Sequence, residues 1–187
     1  MKTMKLTTVN LFLVFGFILI SLNSNSQDVK LSRQERKEVR KAQMALNFHI
    51  LDSLLNAKSF VLEADYLQNG YGFRIPVISS LNFIKVDSTY GVLQTGSAFM
   101  LGYNGVGGVT AAGKIGKWEI SKDPKNLSYV VHFNLLTNIG YYDVLMNVSS
   151  DNRASATISG LGRGTLTWQG HLETISNSGV YKGQDTI

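Results

Sequence analysis

No cysteine occurs anywhere in the 187-residue chain. Disulfide staples, thiol nucleophiles and zinc–thiolate centres are thereby excluded, as is a bacterial lipid anchor, which needs a cysteine just after an apolar leader. Proline is nearly as scarce, with two residues against eighteen glycines, and only 17% of the side chains are charged. A chain 44% hydrophobic and this poor in charge lies far from the composition of disordered segments. Its length suits one domain with a core of its own. Long apolar runs are missing too: LFLVFGFILI at residues 11–20 has about half of the ~20 residues that a membrane-spanning helix needs.

That short run has a different meaning. Lys2 and Lys5 precede it, polar SLNSNSQ follows it, and Ser24 and Ser26 supply the small residues of a cleavage site. The pattern is that of a secretory signal peptide over residues 1–26, cut near Ser26. The chain is therefore expected to be exported, periplasmic or at the cell surface, with no transmembrane span in its mature form. Losing Lys2 and Lys5 takes the formal charge from +5 to +3. Six basic residues then crowd positions 30–41 against Glu35 and Glu38. On an exported chain this reads as a solvated helix face, and no nucleic-acid partner is expected.

Ser32 followed by Glu35 is a capping box, and it announces a helix running to about residue 56 within a charged N-terminal segment, 27–58. The first half is charged. Met44, Leu46, Phe48, Ile50, Leu51, Leu54 and Leu55 then form a broad apolar face suited to docking on a sheet.

From residue 59 the hydrophobic period changes from 3.6 to 2, and residues 59–187 read as one antiparallel β domain that folds as a unit with the helix. In SFVLEADYL, Phe60, Leu62, Ala64 and Tyr66 share one face, with Glu63 and Asp65 on the other. LNFIKV and YGVLQT follow, and Trp118 with Ile120 mark a further strand. Tyr129, Val131, Phe133 and Leu135 alternate inward. So do Tyr142, Val144, Met146 and Val148, then Ala154, Ala156 and Ile158, and finally Leu166, Trp168 and Leu172. The fold class is mainly β: one N-terminal helix packed on an antiparallel sandwich, or on a curved, partly closed barrel, of about eight strands. Strand length and the polar end GQDTI argue against an outer-membrane barrel.

GVGGVTAAGKIG at residues 105–116 imitates a phosphate-binding loop, since Gly108 is followed after four residues by Gly113 and Lys114. A genuine one needs Ser or Thr after the lysine and a helix beyond it. Here Ile115 follows and strand periodicity continues. Asn104, Gly105, Gly107 and Gly108 are instead read as positions of positive φ or close backbone approach, in a loop placed to line a ligand site. Gly113 and Gly116 mark a bulge or bend.

FVLEAD at 60–65, LNF at 81–83, NGVGGVT at 104–110, WQGHL at 168–172 and VYKG at 180–183, behind an exported N-terminus and a charged helix, resemble a family of exported bacterial domains of unknown function. The resemblance runs from about residue 31 to 183. It implies the envelope of a Gram-negative bacterium, and it supplies no catalytic residues.

Recognisable chemistry is sparse. His49, His132 and His171 fall on three elements with no metal-ligand spacing, so no metal site and no cofactor are assigned. No G-x-S-x-G elbow exists, and no catalytic residue is assigned. The leading expectation is a non-catalytic envelope module, binding or structural, with an unknown ligand or protein partner and an unknown oligomeric state. One alternative is a small periplasmic hydrolase built on Glu63, Asp65, His132 or His171, which requires those groups to converge in a cleft. The other is an interaction domain that works through the charged helix. A dry, filled interior would favour a surface-binding or structural role.

Overall fold

The computed structural model describes residues 32–99, 101–160 and 164–187. The expected leader at 1–26, and Lys30, lie outside the described residues. The chain divides into two compact units, 1–38 and 39–187. In the first, Ser32 and Glu35 form the anticipated capping box. The Ser32 amide donates to Glu35 Oε2 at 2.7 Å and the Glu35 amide to Ser32 Oγ at 3.2 Å, so two of the orphan donors at the start of helix α1 (Arg33–Ala57) are satisfied.

In the second unit, α1 ends where Lys58 adopts a left-handed φ of 50°. Lys58 donates its amide to Leu55 O at 3.2 Å, and the chain turns directly into β1 (Ser59–Asn69). Short β2 (Arg74–Pro76) is followed by β3 (Phe83–Asp87), β4 (Tyr90–Gln94), β5 (Thr110–Asp123), β6 (Ser128–Thr137), β7 (Gly140–Ser149), β8 (Arg153–Ser159) and β9 (Thr165–Glu173). Each strand from β3 to β9 pairs antiparallel with its predecessor in the order β1-β3-β4-β5-β6-β7-β8-β9, and β9 returns to β1. The result is a closed eight-stranded barrel, with β2 added alongside the far end of β1. Of the two layouts the alternation allowed, the barrel is the one formed. Closure gives every wall strand two partners and removes the open edges that a sandwich leaves.

The interior is packed with apolar side chains. Trp168, Tyr129, Phe60, Phe133, Leu135 and Met146 are among those no more than 1% exposed, and each such burial contributes about 1.5–3 kcal/mol. One outward row of the wall carries Glu119, His132, Leu145, Thr157, Thr167 and Gln68, which follow one another in register from β5 to β1. The apolar interior differs from that of a membrane barrel, which is polar inside. No helix among the described residues is long and apolar enough to cross a membrane.

Two local readings are corrected. Tyr66 does not share a face with Phe60, Leu62 and Ala64, because a β-bulge between Ala64 and Tyr66 shifts the register. Leu67 takes the inward place and Tyr66 turns outward. On α1 only Phe48, Leu51 and Leu55 are buried, while Leu46 and Ile50 stay about half exposed. A single i, i+3, i+7 stripe is all that one helix presents to the barrel.

That stripe is anchored by polar contacts. Tyr129 donates its hydroxyl to Asp52 Oδ1 at 2.9 Å, and Lys122 Nζ donates to the same oxygen at 2.9 Å. Asn47 Nδ2 donates to Ser150 O at 3.0 Å. The Lys122 bond, aided by Tyr129, holds the Asp52 carboxyl below its usual pKa, and burial raises that of Tyr129. Outside the barrel, residues 174–187 form a strap whose Ile175 and Val180 cover Val61, Phe83 and Val92.

Candidate functional site

The glycine-rich loop follows β4 and leads into β5. Asn104 is buried, and its side chain is fully engaged within the protein. Nδ2 donates to Thr95 O and Thr110 Oγ1 at 3.1 and 3.0 Å, while Oδ1 accepts from the amides of Val106 and Gly108 at 3.1 and 2.9 Å. Gly105 and Gly107 have φ of 73° and 79°, a region that L side chains seldom adopt. Gly108 is fixed differently, because a Cβ there would overlap Thr95 O. Lys114 lies within β5, opposite Tyr90 on one side and Leu136 on the other. β5 continues past it to Asp123 as strand, so the phosphate-loop geometry is not formed. The register shift between Ile115 and Trp118 puts a bulge beside Gly116.

The loop joins a second buried amide. Gln94 Nε2 donates to Leu81 O at 3.1 Å and Tyr181 O at 2.8 Å, and Oε1 accepts from Thr110 Oγ1 at 2.9 Å and the Gly183 amide at 2.8 Å. The Gln184 amide donates to Asn104 O at 2.9 Å. Asn104 and Gln94 therefore lock loop and strap together. The period-2 pattern gave no sign of this, since it places Gln94 on a face without naming what its amide meets.

The titratable groups fall into separate places. His132 Nε2 lies 2.8 Å from Asp143 Oδ1 and its Nδ1 3.5 Å from Glu119 Oε2, across β5, β6 and β7. Glu119 has a lowered pKa, chiefly from a hydrogen bond with Lys117 and further from His132. His171 Nδ1 lies 3.7 Å from Asp65 Oδ2 on β9 and β1. Glu63 pairs in register with His171, but its Oε1 accepts from Ser178 Oγ at 2.6 Å and the Gly179 amide at 3.3 Å in the strap. His49 is on α1. The structure thus brings Asp65 near His171 and keeps His132 three strands from His171 and four from Asp65. Among the described residues no cluster of three or more His, Asp or Glu side chains is placed to hold a metal.

A groove of about 580 Å³ crosses the outer wall from β6 to β1. Its centre is one register row in which Val130, Asn147, Ser155, Gln169 and Tyr66 stand on successive strands. Arg74 and Arg153 also line it, with Asp65. The Arg74 guanidinium sits 3.6 Å from the Tyr66 ring centroid. Arg153 is oriented by Asp151, whose Oδ2 accepts from Arg153 Nε at 2.6 Å. Bonds from Arg153 and Ser149 lower the Asp151 pKa to about 2. None of Asn104, Gly105, Gly107 or Gly108 lines this groove. Sequence reasoning missed it because its residues come from six strands; the signal available was Asn147 and Gln169 at outward positions.

Fold and surface define the class: a closed, up-and-down antiparallel barrel with an apolar interior, a helix packed on it and a polar groove on its outer wall. A family model for a domain of unknown function, DUF4251, matches residues 42–172, and the chain belongs to that family. A solved structure is similar: the crystal structure of a DUF4251 family protein from Bacteroides eggerthii DSM 20697. It is 27% identical, with a TM-score of 0.60 over 73% of this chain and 94% of that one. No curated protein matches.

Proposed function

We propose that this protein is a non-catalytic binding module of the bacterial cell envelope that recognises its ligand on the outer wall of the barrel. The carrying observation is the groove across β6 to β1, in which Asn147, Ser155 and Gln169 line up on the outside of a barrel whose interior is filled by side chains such as Trp168 and Phe133. A filled interior supports a surface role, and convergent polar side chains in a concavity of this size suit ligand recognition. The separation of His132 from Asp65 and His171 weighs against the hydrolase reading, because acid–base work needs both partners within reach of one substrate. In this reading residues 1–26 are an export signal cut near Ser26, 27–58 the charged helix and 59–187 the β domain, with the mature chain in the periplasm or at the cell surface. The glycine-rich loop serves this site by holding the fold.

Thermal-shift measurements against panels of envelope lipids, glycans and peptides test the proposal, with wild type compared with Ser155→Trp, which fills the groove from an outward position. A ligand at about 100 times its Kd stabilises by about 2.7 kcal/mol. A shift in wild type that disappears in Ser155→Trp is expected. No shift from any class, or a shift that Ser155→Trp retains in full, overturns the reading.

A further inference from the structure

The groove carries a more specific message about its ligand. Its central row crosses five strands, and with neighbouring strands ~4.8 Å apart it follows the curved wall for roughly 19 Å, so it suits an elongated, flexible molecule. Apart from Val130, its side chains are amides and hydroxyls, which both donate and accept. Asn147 and Ser155 make no side-chain hydrogen bond to another described residue, and Gln169 Nε2 donates to Gln68 Oε1 at 2.7 Å, leaving its oxygen free to accept.

Two guanidiniums stand diagonally about that row. Arg153 is in the register row of His171, Arg74 is in the row of Gln68 and Thr167, and Gln169 lies between. Arg74 makes no ion pair among the described residues, and its plane rests on Tyr66. A stacked guanidinium is pre-organised, with its fork of donors suited to a carboxylate.

Other ligand classes fit less well. An extended peptide added as a strand needs a free sheet edge, and β6 to β9 and β1 are paired on both sides here. A lipid needs a continuous apolar floor, whereas the apolar groups that line this groove, Tyr129, Val130, Val148, Ala154 and the Tyr66 ring, are interrupted by Asn147, Ser155, Gln169 and two guanidiniums. A nucleic-acid backbone needs several uncompensated cations, yet Arg153 is paired with Asp151 and Asp65 faces the same groove.

We infer that the groove binds an acidic oligosaccharide, with Arg74 taking a sugar carboxylate and the row of Asn147, Ser155 and Gln169 taking ring hydroxyls. This rests on the reading of the groove as the binding surface. Asp65 accepts a further hydroxyl, and Tyr66 offers ring surface to the apolar face of a sugar.

Isothermal titration of the folded chain separates the possibilities, using an alginate hexasaccharide, neutral cellohexaose and hexaglutamate as probes. The alginate hexamer is expected to bind at least tenfold tighter than either of the others, and Arg74→Gln and Gln169→Ala are each expected to weaken it tenfold or more. Both substitutions are at the surface, and circular dichroism confirms their folding. Equal binding of hexaglutamate, or alginate binding indifferent to Arg74→Gln, overturns the inference. If cellohexaose or hexaglutamate binds instead and Ser155→Trp abolishes it, the acidic-sugar assignment fails while the groove stands. No binding of any probe, together with a flat thermal-shift panel, overturns both.

Discussion

Replacing Gln94 by leucine tests how loop and strap are held. Leucine keeps most of the side-chain volume and removes all four hydrogen bonds, those to Leu81 O and Tyr181 O and those from Thr110 Oγ1 and the Gly183 amide. Each is worth about 1 kcal/mol net, and buried partners left unpaired add to the loss. Against a total near 4 kcal/mol stands a gain of roughly 1 kcal/mol from a more apolar side chain. The net expectation is a destabilisation of about 3 kcal/mol, or ~6–12 °C in Tm for a chain of this size. Urea unfolding followed by fluorescence of Trp168, whose indole donates to Gln94 O at 3.2 Å, reads the value. Hydrogen exchange should show the loss concentrated in residues 104–110 and 178–187. A change below about 1 kcal/mol, within the range of an ordinary surface substitution, would refute the role given to this amide.

Further perturbations separate causes that look alike in sequence. Gly105→Ala meets no atom within 4 Å and pays only for φ of 73°, about 1 kcal/mol. Gly170→Ala sets a Cβ against Glu63 O on the β1–β9 seam and should exceed 2 kcal/mol; equal effects in denaturant melts would contradict this contrast. On α1, Leu55→Ala should cost about 2–5 kcal/mol and Ile50→Ala less than about 1, because only the first is buried. The reverse order would mean that the helix docks by its other face. Asp151 has a folded pKa of about 2 against an ordinary value of 3.8. A depressed carboxyl stabilises above its unfolded pKa, so the contribution, about 1 kcal/mol after solvent screening, is present at neutral pH and lost as pH falls from about 3.8 toward 2. Asp151→Asn should therefore be less stable than wild type at pH 7 and nearly equal to it at pH 2. A gap that persists at pH 2 would rule out this linkage.

The wall of the barrel was legible where strands bury one face, as β6 to β8 do between Tyr129 and Ile158, whereas β4 is buried on both because the strap covers Val92. Closure was not, since the pairing of β9 with β1 joins residues a hundred positions apart and leaves no local mark. The bulge at Ala64 and Tyr66 escaped for a related reason, as one extra residue inverts the alternation without altering composition. Ser32 and Glu35 announced their cap through a contact three residues apart. Asn104 stands among glycines, and nothing in that local pattern says that its amide meets Thr95 and Thr110. Arg74, Arg153 and Gln169 belong to one surface only after the strands are laid side by side.

The account turns on where a ligand touches the barrel, and amide chemical-shift mapping on isotope-labelled protein locates that contact most directly. Titration with the probe giving the largest thermal shift should move the resonances of Tyr66, Asn147, Ser155 and Gln169 together and leave interior Phe133 and Met146 in place. Shifts confined to residues 104–110 or to the interior, with the β6-to-β1 wall unchanged, would contradict it.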